Sequence, residues 1–154
     1  NLKNASLAEY LVPAASDAGK SLSCRVTGVN PIGGGTPSTT ASTKVALGSA
    51  AVATKAPRIT FPGPTATVGE TLTASRGTWA PSATYTYTYI WKRGSTVVKQ
   101  GATATTYRTT AKDKGKKLTL TVQAKRTGYL TGSKTSAAHG YLTVTAALVL
   151  EPVR

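Results

Sequence analysis

One motif occurs twice in this chain, and its two copies start at unequal distances from the N-terminus. Residues 10–24 run Tyr10-Leu-Val-Pro-Ala-Ala-Ser-Asp17-Ala-Gly19-Lys20-Ser-Leu22-Ser-Cys24, and residues 107–120 run Tyr107-Arg-Thr-Thr-Ala-Lys-Asp113-Lys-Gly115-Lys116-Lys-Leu118-Thr-Leu120. With one extra residue after the first tyrosine, Asp, Gly, Lys and Leu fall in step, as do Val26 and Val122. A repeat sets the modular plan before any single element is considered. Roughly fifty residues of module precede the second copy and nine residues precede the first. The expected plan is one whole module and the back half of another.

Short alternating segments punctuated by Gly, Pro and Ser/Thr clusters predict antiparallel strands. In the complete module these are Arg58–Phe61, Thr71–Ser75, Tyr85–Trp91, Thr96–Val98, Thr105–Tyr107, Leu118–Val122 and a last strand near Tyr141–Val144. The segment Tyr85-Thr-Tyr-Thr-Tyr-Ile-Trp91 puts Tyr85, Tyr87, Tyr89 and Trp91 on one face. Leu118, Leu120 and Val122 share a face in the same way. The half module supplies Ser21–Gly28 and Thr39–Leu47 as a strand pair, joined by a flexible Gly33-Gly-Gly35 loop. No segment reads as a helix. The expected fold is all-β, an immunoglobulin-like antiparallel sandwich preceded by a half sandwich. Its boundaries are 1–48 for the half module, 49–57 for a linker, 58–146 for the complete module and 147–154 for a tail.

Nineteen Lys and Arg against five acids give a net charge of +14. Residues 57–154 hold 14 of the basic and three of the acidic residues, or +11. Such a field favours anionic partners. The basic run Lys112, Lys114, Lys116, Lys117, with Lys125 and Arg126 beyond it, marks the candidate surface. Its five candidate contacts are Lys114, Lys116, Lys117, Lys125 and Arg126, and ordinary solvation is the alternative account. No nucleic-acid recognition signature accompanies them, so any such binding would lack sequence preference. No apolar run reaches 18 residues, so no membrane-spanning helix is expected. The chain starts at Asn1 without a charged-then-apolar leader, which suits a mature product or a fragment.

Residues able to do chemistry are few. The acids are Glu9, Asp17, Glu70, Asp113 and Glu151, and His139 is the one histidine. No nucleophile motif and no His/Cys/acid cluster is present, so neither catalysis, metal nor cofactor is expected. Asp17 and Asp113 fall at matching corners, where a carboxylate accepts backbone N–H bonds and holds a turn. Trp91 reads as core and the tyrosine row as core running to a wet edge; a stacking platform for sugars or bases is the rival reading. Trp79, after Arg76-Gly77-Thr78, is expected to plug one end of the sandwich.

Several motifs stand in order: Val68-Gly-Glu-Thr-Leu-Thr, Arg76-Gly-Thr-Trp79, Tyr87-Thr-Tyr-Ile-Trp91-Lys-Arg-Gly94, Asp113-Lys-Gly-Lys-Lys-Leu118-Thr and Thr127-Gly-Tyr129. With Lys134-Thr-Ser-Ala-Ala138 they resemble the tandem immunoglobulin-like repeats of actinobacterial secreted and surface proteins, over about residues 57–145. The resemblance implies an extracellular, non-catalytic spacer or binding appendage. The alternative is an accessory chain or fragment of a secreted hydrolase whose catalytic part lies elsewhere. Some repeats of this kind bridge two strands by a disulfide. Its positions correspond here to Ala74 and Leu120, while Cys24 has the later member in the first copy. The sequence departs from the animal Asp-x-Gly-x-Tyr-x-Cys pattern, because Leu22 stands where the corner tyrosine would be.

An incomplete first module would leave Leu22, Cys24 and Val26 wet, each forgoing roughly 1.5–3 kcal/mol for a large apolar side chain. Three completions are open: a companion chain, with or without a disulfide to Cys24; a second copy; or docking on the whole module. Expected soluble partners are anionic polysaccharide, teichoic acid or nucleic acid.

Overall fold

The computed structural model describes residues 14–63 and 66–136. Among them there is no α-helix; two 3-10 turns of three residues each accompany the strands. The chain divides into two compact units, Asn1–Ser49 with Thr127–Leu130, and Ala50–Arg126 with Thr131–Arg154.

The first unit opens with a 3-10 turn at Ala15–Asp17 and continues as a long interrupted hairpin. Its strands are β1 (Ser21–Leu22), β2 (Arg25–Val26), β3 (Val29–Asn30), β4 (Gly33–Gly34), β5 (Ser38–Thr39) and β6 (Thr43–Lys44). They pair antiparallel as β1 with β6, β2 with β5 and β3 with β4. The expected strand pair is therefore present, but its tip differs. The turn lies at Pro31–Ile32, and Gly33 and Gly34 belong to the returning strand. Asn before the turn, Pro at its second position and Gly at its fourth are the residues a type I turn selects, which outweighs the flexibility of three glycines. At the base of the unit, Gly48 donates to the Gly128 carbonyl at 2.9 Å and accepts from the Leu130 N–H at 2.9 Å.

The second unit holds β7 (Val52–Lys55), β8 (Arg58–Thr60), β9 (Thr71–Ser75), β10 (Thr78–Ala80), β11 (Thr86–Arg93), β12 (Thr96–Gly101), β13 (Thr106–Arg108), β14 (Leu118–Lys125) and β15 (Gly132–Thr135). One sheet has the order β12-β11-β14-β15 and the other β13-β9-β8; a ribbon of β10 and β7 stands beside them. All of these ladders are antiparallel. This is an immunoglobulin-like sandwich.

Alternation explains why the sheets close. Along β14, Leu118, Leu120, Val122 and Ala124 are buried, while Thr119, Thr121 and Gln123 between them are half-buried. Tyr89 and Trp91 from the neighbouring strand β11, and Leu72 and Tyr107 from the facing sheet, join them in the core. Trp91 lies at its centre, stacked on Tyr107 at 5.6 Å between ring centroids. Its indole N–H donates to the Ala104 carbonyl at 2.7 Å, which satisfies the one polar atom it takes inside.

One expectation needs correction, and another lies beyond the described residues. Residues 49–57 are not an irregular linker: Val52–Lys55 pair with Thr78–Ala80, and Ala51 and Pro57 are buried. The alanine-rich run there gives no period-two signal, so the strand is specified by its partner rather than by its own pattern. The last described strand is Gly132–Thr135, paired with β14. The strand expected near Tyr141–Val144 lies outside the described residues, as do His139 and the tail 147–154.

Candidate functional site

The most developed polar constellation is built on Asp113, at the corner before β14. The 3-10 turn Ala111–Asp113 folds this carboxylate inward until it is fully buried. Four donors meet it. Arg93, at the end of β11, donates its Nε–H to Oδ1 at 2.5 Å. The Tyr107 hydroxyl donates to Oδ2 at 2.8 Å, and the Thr110 N–H and hydroxyl donate to the same oxygen at 2.7 and 2.8 Å. The Arg93 guanidinium also reaches the Tyr107 oxygen at 3.3 Å.

Burial alone would push the Asp113 carboxyl up. The hydrogen bonds from Arg93, Thr110 and Tyr107 together outweigh it and hold the group below the usual carboxylate range. Burial, and then the bond to Asp113, push the Tyr107 phenol up. The hydrogen bond to Asp113 raises Arg93. A carboxylate so stabilised as an anion is a weak proton acceptor, and both of its oxygens are engaged. The cluster ties β11, β13 and the start of β14 together.

The corner at Asp17 has the same backbone bonds. Asp17 N–H meets the Ala14 carbonyl at 2.9 Å as Asp113 N–H meets that of Thr110 at 2.9 Å. Lys20 N–H to Asp17 O and Lys116 N–H to Asp113 O are likewise both 2.9 Å. The Asp17 carboxylate accepts from the Ala14 N–H at 3.0 Å. Gly19 and Gly115 follow in the left-handed region, at φ 81° and 66°.

The five candidate basic residues are all exposed but do not converge. Lys114, Lys116 and Lys117 stand before β14, whereas Lys125 ends it and Arg126 follows. At about 3.3 Å per residue, the strand puts about 26 Å between Lys117 and Lys125. By strand parity Lys117 and Lys125 share the outward face with Thr119, Thr121 and Gln123. Lys92 joins that face, since it pairs with Thr119. The sequence reading missed Lys92 because its relation to Thr119 is a register between two strands. Arg93 was missed for the same reason: its place in a turn-like Arg-Gly-Ser gave no hint that it reaches Asp113.

The aromatic row grades from core to rim. Trp91 and Tyr89 are buried, and Tyr87 and Tyr85 are half-buried. Tyr87 lies 6.5 Å from Trp79 and 6.1 Å from Tyr85 between centroids, with the Arg76 guanidinium 5.0 Å above its ring. Trp79 is buried and donates to the Arg76 carbonyl at 2.9 Å, and Tyr85 donates to the Pro81 carbonyl at 2.6 Å. These rings pack mainly on one another. The equivalent bridge positions in this unit hold half-buried Ala74 and fully buried Leu120.

Cys24 is an exposed free thiol. Among the described residues no three of His, Cys, Asp and Glu gather as metal ligands, and no helix is long and apolar enough to cross a membrane. In comparisons with known proteins, no family model, no curated protein and no solved structure matches the chain.

Proposed function

We propose that this chain is a non-catalytic extracellular immunoglobulin-like module, a spacer or binding appendage of a larger secreted protein, whose basic face engages anionic polymer without sequence preference. The observation that carries the reading is the row along the outward face of β14, in which Lys117, Lys92 and Lys125 flank a half-buried polar strip of Thr119, Thr121 and Gln123. A span of about 26 Å suits an extended chain of charges better than a single small anion. The net charge of +14 supplies the long-range attraction. The non-catalytic part rests on the state of Asp113, whose oxygens are both engaged by donors.

Titration of fluorescent polyglycerol phosphate, an acidic polysaccharide and random-sequence DNA at several salt concentrations tests it. Affinity should fall steeply with salt for all three. The double variant Lys117→Ala/Lys125→Ala should lower the log–log salt slope by about 1 per lysine, nearly equally for each polymer. Salt-independent binding, or equal affinity for neutral glycans, would instead favour stacking on the tyrosine rim.

A further inference from the structure

The positive charge of the second unit stands on both of its sheets. No described strand of that unit holds an acidic residue. Its two described acids, Glu70 and Asp113, lie at turns, and each carboxylate is taken up by nearby backbone. Glu70 accepts from the Thr67 N–H at 2.8 Å, and Asp113 from that of Thr110 at 2.7 Å. The cations of the strands therefore have no acid beside them on their own strands.

The outer face of the β13-β9-β8 sheet follows from its register. Tyr107 pairs with Leu72 and Ile59 with Ala74, and these four side chains pack in or against the core. The alternate positions face outward. They form three rows: Arg108 beside Thr71, Thr106 beside Thr73 and Thr60, and Ser75 beside Arg58. All of these outward residues are exposed. An Nε–H bond to the Gly69 carbonyl at 3.0 Å holds Arg108 against the sheet. Lys99, on β12, donates to the Thr106 carbonyl at 2.6 Å and adds a third cation on the β13 side. Two strand spacings and four residues of β9 put about 16 Å between the backbones of Arg58 and Arg108.

This face points away from the strip of Lys92, Lys117 and Lys125, because the two belong to opposite sheets of the sandwich. Stacked sheets lie about 10 Å apart, so chains lying on the two outer faces are separated by the whole thickness of the module. The face is flat, rich in hydroxyls and without an aromatic residue. It offers no ring on which a base or a sugar could stack. Its arginines can each take a phosphate oxygen pair, and its threonines can bond phosphate or polyol oxygens.

We infer that the outer face of the β13-β9-β8 sheet is a second docking surface, for a polyol phosphate chain, and that one module thereby bridges two such chains. The inference rests on the reading of the β14 face given above, and adds a cross-linking role to it. Charge complementarity supplies the attraction on both faces.

The test mixes donor-labelled and acceptor-labelled polyglycerol phosphate with the full chain at low salt. Energy transfer should rise as protein is added. It should fall again when protein is in excess, since each polymer is then covered by its own copies. The variant Arg58→Gln/Arg108→Gln should still bind a single labelled polymer, with a log–log salt slope lower by about 1 per arginine, yet give no transfer. Lys117→Ala/Lys125→Ala should likewise bind and lose transfer.

Wild-type binding without transfer overturns this inference alone and leaves the β14 face standing. Absence of any binding removes both. Transfer that the arginine variant keeps, whether through the first unit or through pairing of two copies, also overturns the assignment. Stronger transfer between chains of single-stranded DNA, or of an acidic polysaccharide at equal charge density, overturns the choice of polyol phosphate.

Discussion

Replacing Asp113 by asparagine keeps the shape of the side chain and removes its charge. The asparagine oxygen can still accept from Thr110, but the ion pair with Arg93 is lost, and the amide presents donors where Tyr107 and Thr110 also donate. Breaking a buried ion pair costs about 3–5 kcal/mol when the survivor is stranded. The Arg93 side chain keeps 22 % exposure and can turn to water, so a loss of about 2–3 kcal/mol is expected. For a module of this size that lowers Tm by about 8–24 °C.

Both tryptophans, Trp79 and Trp91, lie in the second unit, so the melt followed by tryptophan fluorescence reports that unit alone. The pH dependence follows from the folded carboxyl lying below its unfolded value. Its contribution is fully present above the unfolded pKa, about 3.9, and is lost as pH falls towards the folded pKa. The gap between wild type and Asp113→Asn should therefore be widest near neutrality and narrow steadily from about pH 5 towards pH 2. A gap under about 3 °C at pH 7, or one that holds constant over that acid range, would refute the account of the corner.

Leu120→Ala should cost about 2–5 kcal/mol in a denaturant melt, while Cys24→Ala at the matching exposed position should cost under about 0.5 kcal/mol; equal effects would contradict the difference in burial. Gly77→Ala should destabilise the second unit by about 2–4 kcal/mol, because Gly77 has φ 73° and a Cβ there would run into the Lys55 carbonyl oxygen. A melt unchanged by that substitution would show that β7 is not held against the Gly77 turn.

The strands with strict alternation were legible from residues alone. Thr71–Ser75 is found where the pattern places it, Leu118–Val122 is the first part of the longer strand Leu118–Lys125, and Tyr85–Trp91 is found as Thr86–Arg93, starting one residue later and running two further. A strand buried on one face must alternate, and that requirement is written locally. The aspartate corners were legible for the same reason, since the turn and its carboxylate are neighbours in sequence. Strands β7 and β15 were not. At the edge of a sheet one neighbour suffices, and Gly-Ser-Lys-Thr or Val-Ala-Thr-Lys carries too little apolar contrast to announce a strand. Nor could the sequence separate Lys117 from Lys125 in space or bring Arg93 to Asp113, because both depend on strand length and cross-strand register. The residues by themselves determined which side chains face inward and where the corners form. Only the tertiary structure decided which outward charges share a face, because that is a property of the neighbours a strand acquires.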